Sequence, residues 1–436
     1  MMMVLMFMFL MIPLSFLSIS WLMSQFCYLF LYVLIMMKSF NTFFCSISYY
    51  FGLDNFSYNL VLLGFLISSY MIVSMQYSFS MKLYTSINLI LSLFLFVIFS
   101  SLNFFYMYMS FEFVLVPLVI LVLGWGYQPE RLMAGLYLFF YTVLVSLPLL
   151  VLILQIYKEN GAMFFDYMSY SSNFFLIHFI MVFVFMVKLP MFLVHFWLPK
   201  AHVQAPVAGS MILAGLMLKI GGYGLIRVMY MYEYMYMEYS YIWYSVSLMG
   251  SLLIGMICLM QGDIKCLIAY SSVTHMGMVI MGLMTMSSWG LMGSYLLMLG
   301  HGFCSSGMFY MANMFYLRTG SRSFYINKGL LIYIPSCSMI WFIMCSFNMS
   351  CPPSINFLSE VMILSSMLGY WVNSMVFFIG ISFLCACFSY YLYSYSQHGL
   401  HHNLYSFSSM NLVELLCLFM HLIPLLFYSI IIMSLI

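Results

Sequence analysis

Apolar runs long enough to cross a bilayer follow one another along almost the whole chain, separated by short polar intervals. A spanning helix needs about 20 apolar residues. Counting on that basis predicts spans near residues 2–22, 24–37, 57–76, 83–101, 104–124, 132–156, 173–198 and 207–229. The series continues near 241–261, 264–286, 290–315, 330–370, 372–395 and 411–435. The expected fold is an all-α polytopic membrane protein of about 14 transmembrane helices.

Two of these runs are interrupted in the same way. In Met186–Gly224, MVKLPMFLVHFWLPKAHVQAPVAGSMILAGLMLKIGGYG, Lys188 ends an apolar run and Pro190 follows at once, with Pro199 and Pro206 beyond. Proline removes a backbone donor and clashes with the preceding turn, so the seventh helix is expected to break here. The twelfth run is apolar to Asn348, breaks at Cys351-Pro352-Pro353 and resumes with Glu360 inside it. Irregular backbone at membrane depth is tolerated only against protein or water. Paired broken helices in corresponding positions point to a transporter of inverted repeats with its site at midplane. The expected repeats have five helices each, over 83–229 and 241–395. N-terminal helices over 1–101, the last of which opens the first repeat, and a C-terminal helix over 411–435 frame them.

Basic residues set the expected orientation. Loops after odd-numbered spans hold Lys82, Arg131, Lys200, Lys265, Arg318, Arg322 and Lys328, against Lys38, Lys158 and Arg227 for the even-numbered ones. The bias puts the odd loops on the cytoplasmic or matrix side and both termini on the opposite side.

Composition narrows the function. With 66% hydrophobic and 5% charged residues, the chain has too few charges to cover a soluble domain. A net charge of +2 leaves no electrostatic footprint for nucleic acid. The 11 cysteines include no CxxC pair, so neither a disulfide framework nor a zinc site is indicated. Short loops leave no extramembrane domain to hold a cofactor or a nucleotide. The Met1 end is apolar, without the basic, serine-rich character of a transit peptide, and is expected to be a retained span. The 48 Met, 44 Phe and 37 Tyr exceed what hydrophobicity alone selects, and match the biased codon supply of an organelle genome.

The few charges inside spans are the candidate chemistry. Glu112 lies near the centre of the fifth span, five residues before Pro117, and Lys188, Lys219 and Glu360 join it. A charge at the bilayer centre costs about 2.5–3.5 kcal/mol on insertion scales, so four unpaired ones would cost on the order of 10 kcal/mol. Such groups mark a proton or ion path, or else structural ion pairs between helices. Burial disfavours the charged forms of lysine and carboxylate alike, which suits both to exchange protons when a neighbouring charge moves. Gly221, Gly222 and Gly224 after Lys219 permit close helix packing or a kink, and follow no strand that would make them a phosphate loop. His275 and His301, near serines in the tenth and eleventh spans, would bridge the lysines to Glu360 by switching protonation, or serve as neutral packing residues. His195 and His202 flank the first break and either satisfy freed backbone groups or carry protons. His398, His401 and His402 form a loop cluster that is at most a weak metal site. The many aromatics and methionines are expected to be lipid-facing or core filler.

Several stretches are familiar: GWGYQPERLMAGLYLFFYT, VKLPMFLVHFWLPKAHVQAPVAGSMILAGLMLKIGGYGLIRV, IAYSSVTHMGMV, HGFCSSGMFYMAN and PPSINFLSE. From about Phe104 to Gln397 the chain resembles the chain 4 family of mitochondrial NADH:ubiquinone oxidoreductase (respiratory complex I), with SRS followed by NKGLL similar to an arthropod version. The resemblance implies an antiporter-like subunit of the membrane arm in the mitochondrial inner membrane; the composition then points to encoding in the organelle, and the basic-residue bias to both termini toward the intermembrane space. It carries the family's proton-path positions onto Glu112, Lys188, Lys219, His275, His301 and Glu360, the glutamate and lysine acting as a coulombic gate. It implies that NADH, FMN, iron–sulfur clusters and ubiquinone belong to other subunits, so this chain binds no cofactor or metal. The implied partners are other membrane-arm subunits, neighbouring antiporter-like subunits above all, and membrane lipids, cardiolipin among them. The alternative is a cation/proton antiporter subunit of the related family, against which the absence of a sodium-type cluster of extra intramembrane acids and the organelle-like composition weigh.

Overall fold

The computed structural model describes residues 1–37, 45–75, 80–165, 174–400 and 408–433; Lys38, His401 and His402 lie outside the described residues. The chain opens with helices α1 (Met2–Leu14) and α2 (Ser20–Met36). The first division of the apolar run therefore falls at residues 15–19 rather than after residue 22. There the Ser15 hydroxyl turns back to the Ile12 carbonyl at 2.7 Å, a local bond that competes with the helix ladder. A short antiparallel hairpin follows, β1 (Cys45–Ser48) and β2 (Phe51–Leu53), a departure from an all-helical chain among the described residues. Helix α3 (Asn55–Ser74) starts at a capping box, with the Ser57 amide donating to Asp54 Oδ1 at 3.1 Å and the Asp54 amide to the Ser57 hydroxyl at 2.8 Å.

Next come α4 (Met81–Ser100), α5 (Phe104–Phe113), α6 (Leu115–Trp125), α7 (Arg131–Asn160) and α8 (Phe175–Lys188). After a run of turns, α9 (Trp197–Gln204), α10 (Val207–Ile212) and α11 (Leu218–Met231) follow, with a π-helical turn, Leu213–Met217, between the last two. The second half holds α12 (Glu233–Leu259), α13 (Ile264–Met284), α14 (Ser288–Thr319), the single turn α15 (Leu330–Tyr333), α16 (Pro335–Asn348), α17 (Ile355–Tyr370), α18 (Ser374–Gln397) and α19 (Leu412–Met433). Among the described residues, 8 helical stretches are long and apolar enough to cross a membrane by length and composition. Other apolar helices have only 10–17 residues, because breaks divide runs that hydropathy alone counts as single spans. Both proline-marked breaks are present, between Lys188 and Trp197 and between Asn348 and Ile355.

The chain divides into two compact units, Met1–Lys188 with Gln204–Glu238, and Leu189–Val203 with Tyr239–Ile436. In the first, the span from Val207 to Met231 is buried throughout apart from Tyr230. Gly224 lets α11 close on α8, since a Cβ there would collide with the Phe185 ring. Tyr28 and Ser92 hydroxyls meet at 2.8 Å to tie α2 to α4, and Asn88 Nδ2 donates to the Ser68 carbonyl at 3.1 Å to tie α4 to α3. In the second unit, α14 is buried along most of its length between α13, α17 and α19. A Cβ on Gly293 would stand 2.9 Å from Met362 Cβ, so glycine sets how near α14 and α17 approach.

Candidate functional site

In the first unit, Glu112 lies in the last turn of α5, where Val114 interrupts the helix before Pro117. Ser146 of α7 and Tyr108, one turn earlier, stand close to its carboxylate. Lys188 is the final residue of α8, with 2% of its surface accessible, and its Nζ stands 4.2 Å from the centre of the Phe111 ring. Glu112 and Lys188 are within electrostatic reach of each other, and the aromatic face adds cation–π attraction for the ammonium. At Lys188 the helix stops and the backbone enters turns that include Leu193 at φ 82, a strained conformation for a non-glycine residue.

Lys219, fully buried in α11, donates through Nζ to the Ala214 carbonyl at 2.5 Å. Ala214 belongs to the π-helical turn, and such insertions recur at functional sites because they change which carbonyls the helix consumes. The break and the π turn thus put irregular backbone beside both lysines.

In the second unit, His275 of α13 and His301 of α14 are both buried, their ring centres 5.4 Å apart. His275 Nε2 lies 3.1 Å from Oδ1 of Asn348, the last residue of α16 before the break. Within the break, Ser350 takes φ 61 and its hydroxyl donates to Glu360 of α17. Asn356 closes the gap by donating Nδ2 to the Phe347 carbonyl at 2.9 Å. Beyond Glu360, the Cys385 thiol on α18 lies within electrostatic reach of its carboxylate and close to Thr274, the residue before His275. His301, His275 and Asn348 therefore form one polar group in an apolar interior, and Ser350 with Glu360 a second one beside it along the break.

Other candidates fall elsewhere. His202 lies flat against Phe309, 4.6 Å between centres and 1° between planes, and His195 stacks on Phe196 at 4.4 Å. Both sit in ring stacks of the second unit. His398 packs edge-on against Tyr393 at 6.0 Å. Among the described residues no three His, Cys, Asp or Glu side chains gather as metal ligands.

Several buried ionisable groups escaped the sequence reading, Arg227, Lys265 and His178 among them. Arg227, counted as a loop charge, is buried in α11 and paired with Asp54 at 2.7 Å, because a helix is amphipathic by face and its end need not reach water. Lys265, also counted in a loop, is 1% exposed in the first turn of α13, near Arg322. His178, inside the apolar run of α8, stacks edge-on against Tyr236 at 5.1 Å. Only their placement in otherwise apolar runs could have flagged them.

Comparison with known proteins places this architecture. Residues 101–389 match the family described as NADH:quinone oxidoreductase/Mrp antiporter, TM, which sets the class as an antiporter-type membrane subunit. Residues 1–99 match the family described as NADH-ubiquinone oxidoreductase chain 4, amino terminus. NADH-ubiquinone oxidoreductase chain 4 of Ceratitis capitata is 49% identical over 95% of this chain and 94% of its own, and that of Aedes aegypti is 48% identical over 94% and 93%. A chain of respiratory complex I from Thermus thermophilus with bound NADH shares the fold at a TM-score of 0.89, with 18% identity over 98% of this chain and 94% of that one. The chain belongs to the NADH-ubiquinone oxidoreductase chain 4 family.

Proposed function

We propose that Glu112, Lys188, Lys219, His275, His301 and Glu360 carry protons in this chain, which is a proton-pumping membrane-arm subunit of NADH:ubiquinone oxidoreductase. The observation that carries the reading is that Lys188, buried where a helix ends, lies within electrostatic reach of Glu112. While Glu112 is ionised, its field holds the proton on Lys188. When Glu112 is neutralised or its charge is drawn away, the ammonium loses that support in a low-dielectric site and releases its proton. Lys219, beside the π turn, accepts next. The imidazoles of His301 and His275 pass protons by switching protonation, and Glu360, held by the Ser350 hydroxyl, terminates the path in its unit.

The membrane setting extends the same reading. About 14 transmembrane helices, arranged as two inverted five-helix repeats over 83–229 and 241–395, accord with one proline-broken helix in each half. The family supports a multi-pass position in the mitochondrial inner membrane, the methionine-rich composition supports organelle encoding, and the basic-residue bias supports termini toward the intermembrane space. Partners are the other membrane-arm subunits and lipids, cardiolipin included, and the redox groups are assigned to other subunits. The 49% identity over 95% of the chain favours this reading over a cation/proton antiporter subunit.

The test is Glu360→Gln in the assembled complex, with protons moved per NADH oxidised as the readout. The reading expects a several-fold loss with the complex intact, since a positioned proton-transfer group contributes ~10²–10⁴-fold to its step. Unchanged pumping would remove Glu360 from the path.

A further inference from the structure

The last helix carries polar side chains that the path above does not use. Glu414, Cys417 and His421 recur at i, i+3 and i+7, so they share one face of α19. That face meets α14. At the outer end Glu414 accepts from Arg318 Nη2 at 2.7 Å, its side chain 17% accessible. Arg318 is further fixed by donating to the Ser408 and Ser409 carbonyls at 3.1 and 3.2 Å. Deeper in, Tyr310 of α14 lies within electrostatic reach of both Cys417 and Glu414. Its ring stacks on His421, with 6.4 Å between centres and 14° between planes.

His421 is fully buried, and its Nδ1 lies 2.7 Å from the Cys417 carbonyl. A carbonyl can only accept, so Nδ1 carries the hydrogen, and Nε2 of the neutral ring is the basic nitrogen. Gly307 of α14 faces this residue, and a Cβ there would stand at ordinary contact distance, 3.4 Å, from His421 Cβ. His301 is six residues away along the same helix, about 9 Å at ~1.5 Å per residue. Arg318 is seventeen residues from His301, about 25 Å on the same scale, so the series runs from a helix end to mid-helix.

We propose that Glu414, Tyr310 and His421 form a second proton inlet that feeds His301 from the Arg318 end of α14, an inference that rests on the path proposed above. A proton taken up by the Glu414 carboxylate passes to Tyr310, whose oxygen accepts it as its own hydrogen moves on. His421 Nε2 takes that hydrogen, becoming imidazolium, and returns it to water on the side of His301. Arg318 restores the ionised carboxylate by its charge. Each hop moves one proton and leaves each group as it began.

The test uses the assembled complex in liposomes, with protons moved per NADH oxidised measured from pH 6.5 to pH 8.5. His421→Phe keeps the ring stack on Tyr310 and removes titration, and Glu414→Gln keeps the hydrogen-bonding shape and removes the charge. The inlet predicts that both variants assemble and lose pumping by about tenfold at the alkaline end, where bulk protons are scarce, with much less loss at pH 6.5. Equal pumping to the parent at every pH in either variant overturns it, and so does a loss independent of pH, which a packing defect would give. His301→Phe is measured alongside. If it alone fails to pump, the inlet is wrong and the main path stands; if it pumps normally, both are wrong.

Discussion

Asp54 and Arg227, 173 residues apart in the sequence, meet at 2.7 Å with only 2% of either side chain exposed. Asp54 also caps α3, and Arg227 lies over the Tyr223 ring at 4.7 Å while the Tyr223 hydroxyl donates to the Phe99 carbonyl at 3.0 Å. One pair thus joins α3, α4 and α11, and α11 is the helix that carries Lys219. Removing either partner leaves a buried charge without compensation. Asp54→Ala is expected to destabilise the subunit by about 3–5 kcal/mol, whereas replacing both residues by apolar side chains of similar volume is expected to recover most of that loss. Thermal unfolding of the assembled complex measures both, and a double variant no better than the single one would contradict the pairing.

Gly224 supplies a second, purely steric prediction. A methyl group there meets the Phe185 ring of α8, three residues before Lys188, so Gly224→Ala must push α11 and α8 apart. The expected cost is about 1–3 kcal/mol, as for overpacking elsewhere. Phe185→Leu in the same chain should relieve it, and an absence of relief would show that the strain lies elsewhere.

The break in the second unit predicts a separation of roles. Asn348→Leu removes the Oδ1 that bonds the buried His275 Nε2, a loss of about 1–3 kcal/mol. Ser350→Gly removes the donor to Glu360 but suits a backbone at φ 61, which glycine adopts without strain. The first variant is expected to lose both stability and pumping, and the second to lose pumping at nearly parental stability. Full pumping by Ser350→Gly would show that the hydroxyl serves only the turn.

What the sequence made legible follows from contrast. Glu112, Lys188, Lys219 and Glu360 stand out because each interrupts an apolar run, and the prolines at 190 and 352–353 mark both breaks. The π turn at Leu213–Met217 left no such mark, since LAGLM is ordinary helix-forming sequence and only packing selects the wider turn. The hairpin Cys45–Leu53 was equally hidden, its strands being too short for alternation to register. Long-range pairs, Asp54 with Arg227 and Arg318 with Glu414, need the fold before they exist. Charges near helix ends read as loop charges for that reason, which also weakens an orientation drawn from counting Arg227 and Lys265 as exposed.

The central claim concerns Lys188, the buried cation at the end of α8. Lys188→Met keeps the length and apolar stem of the side chain and removes its proton, leaving Phe111 still covered. The decisive measurement is protons moved per NADH oxidised by the assembled Lys188→Met complex. The account predicts that pumping falls about tenfold or more with the complex intact. Parental pumping in an intact complex would mean that Lys188 is structural and that the Glu112–Lys188 gate does not exist.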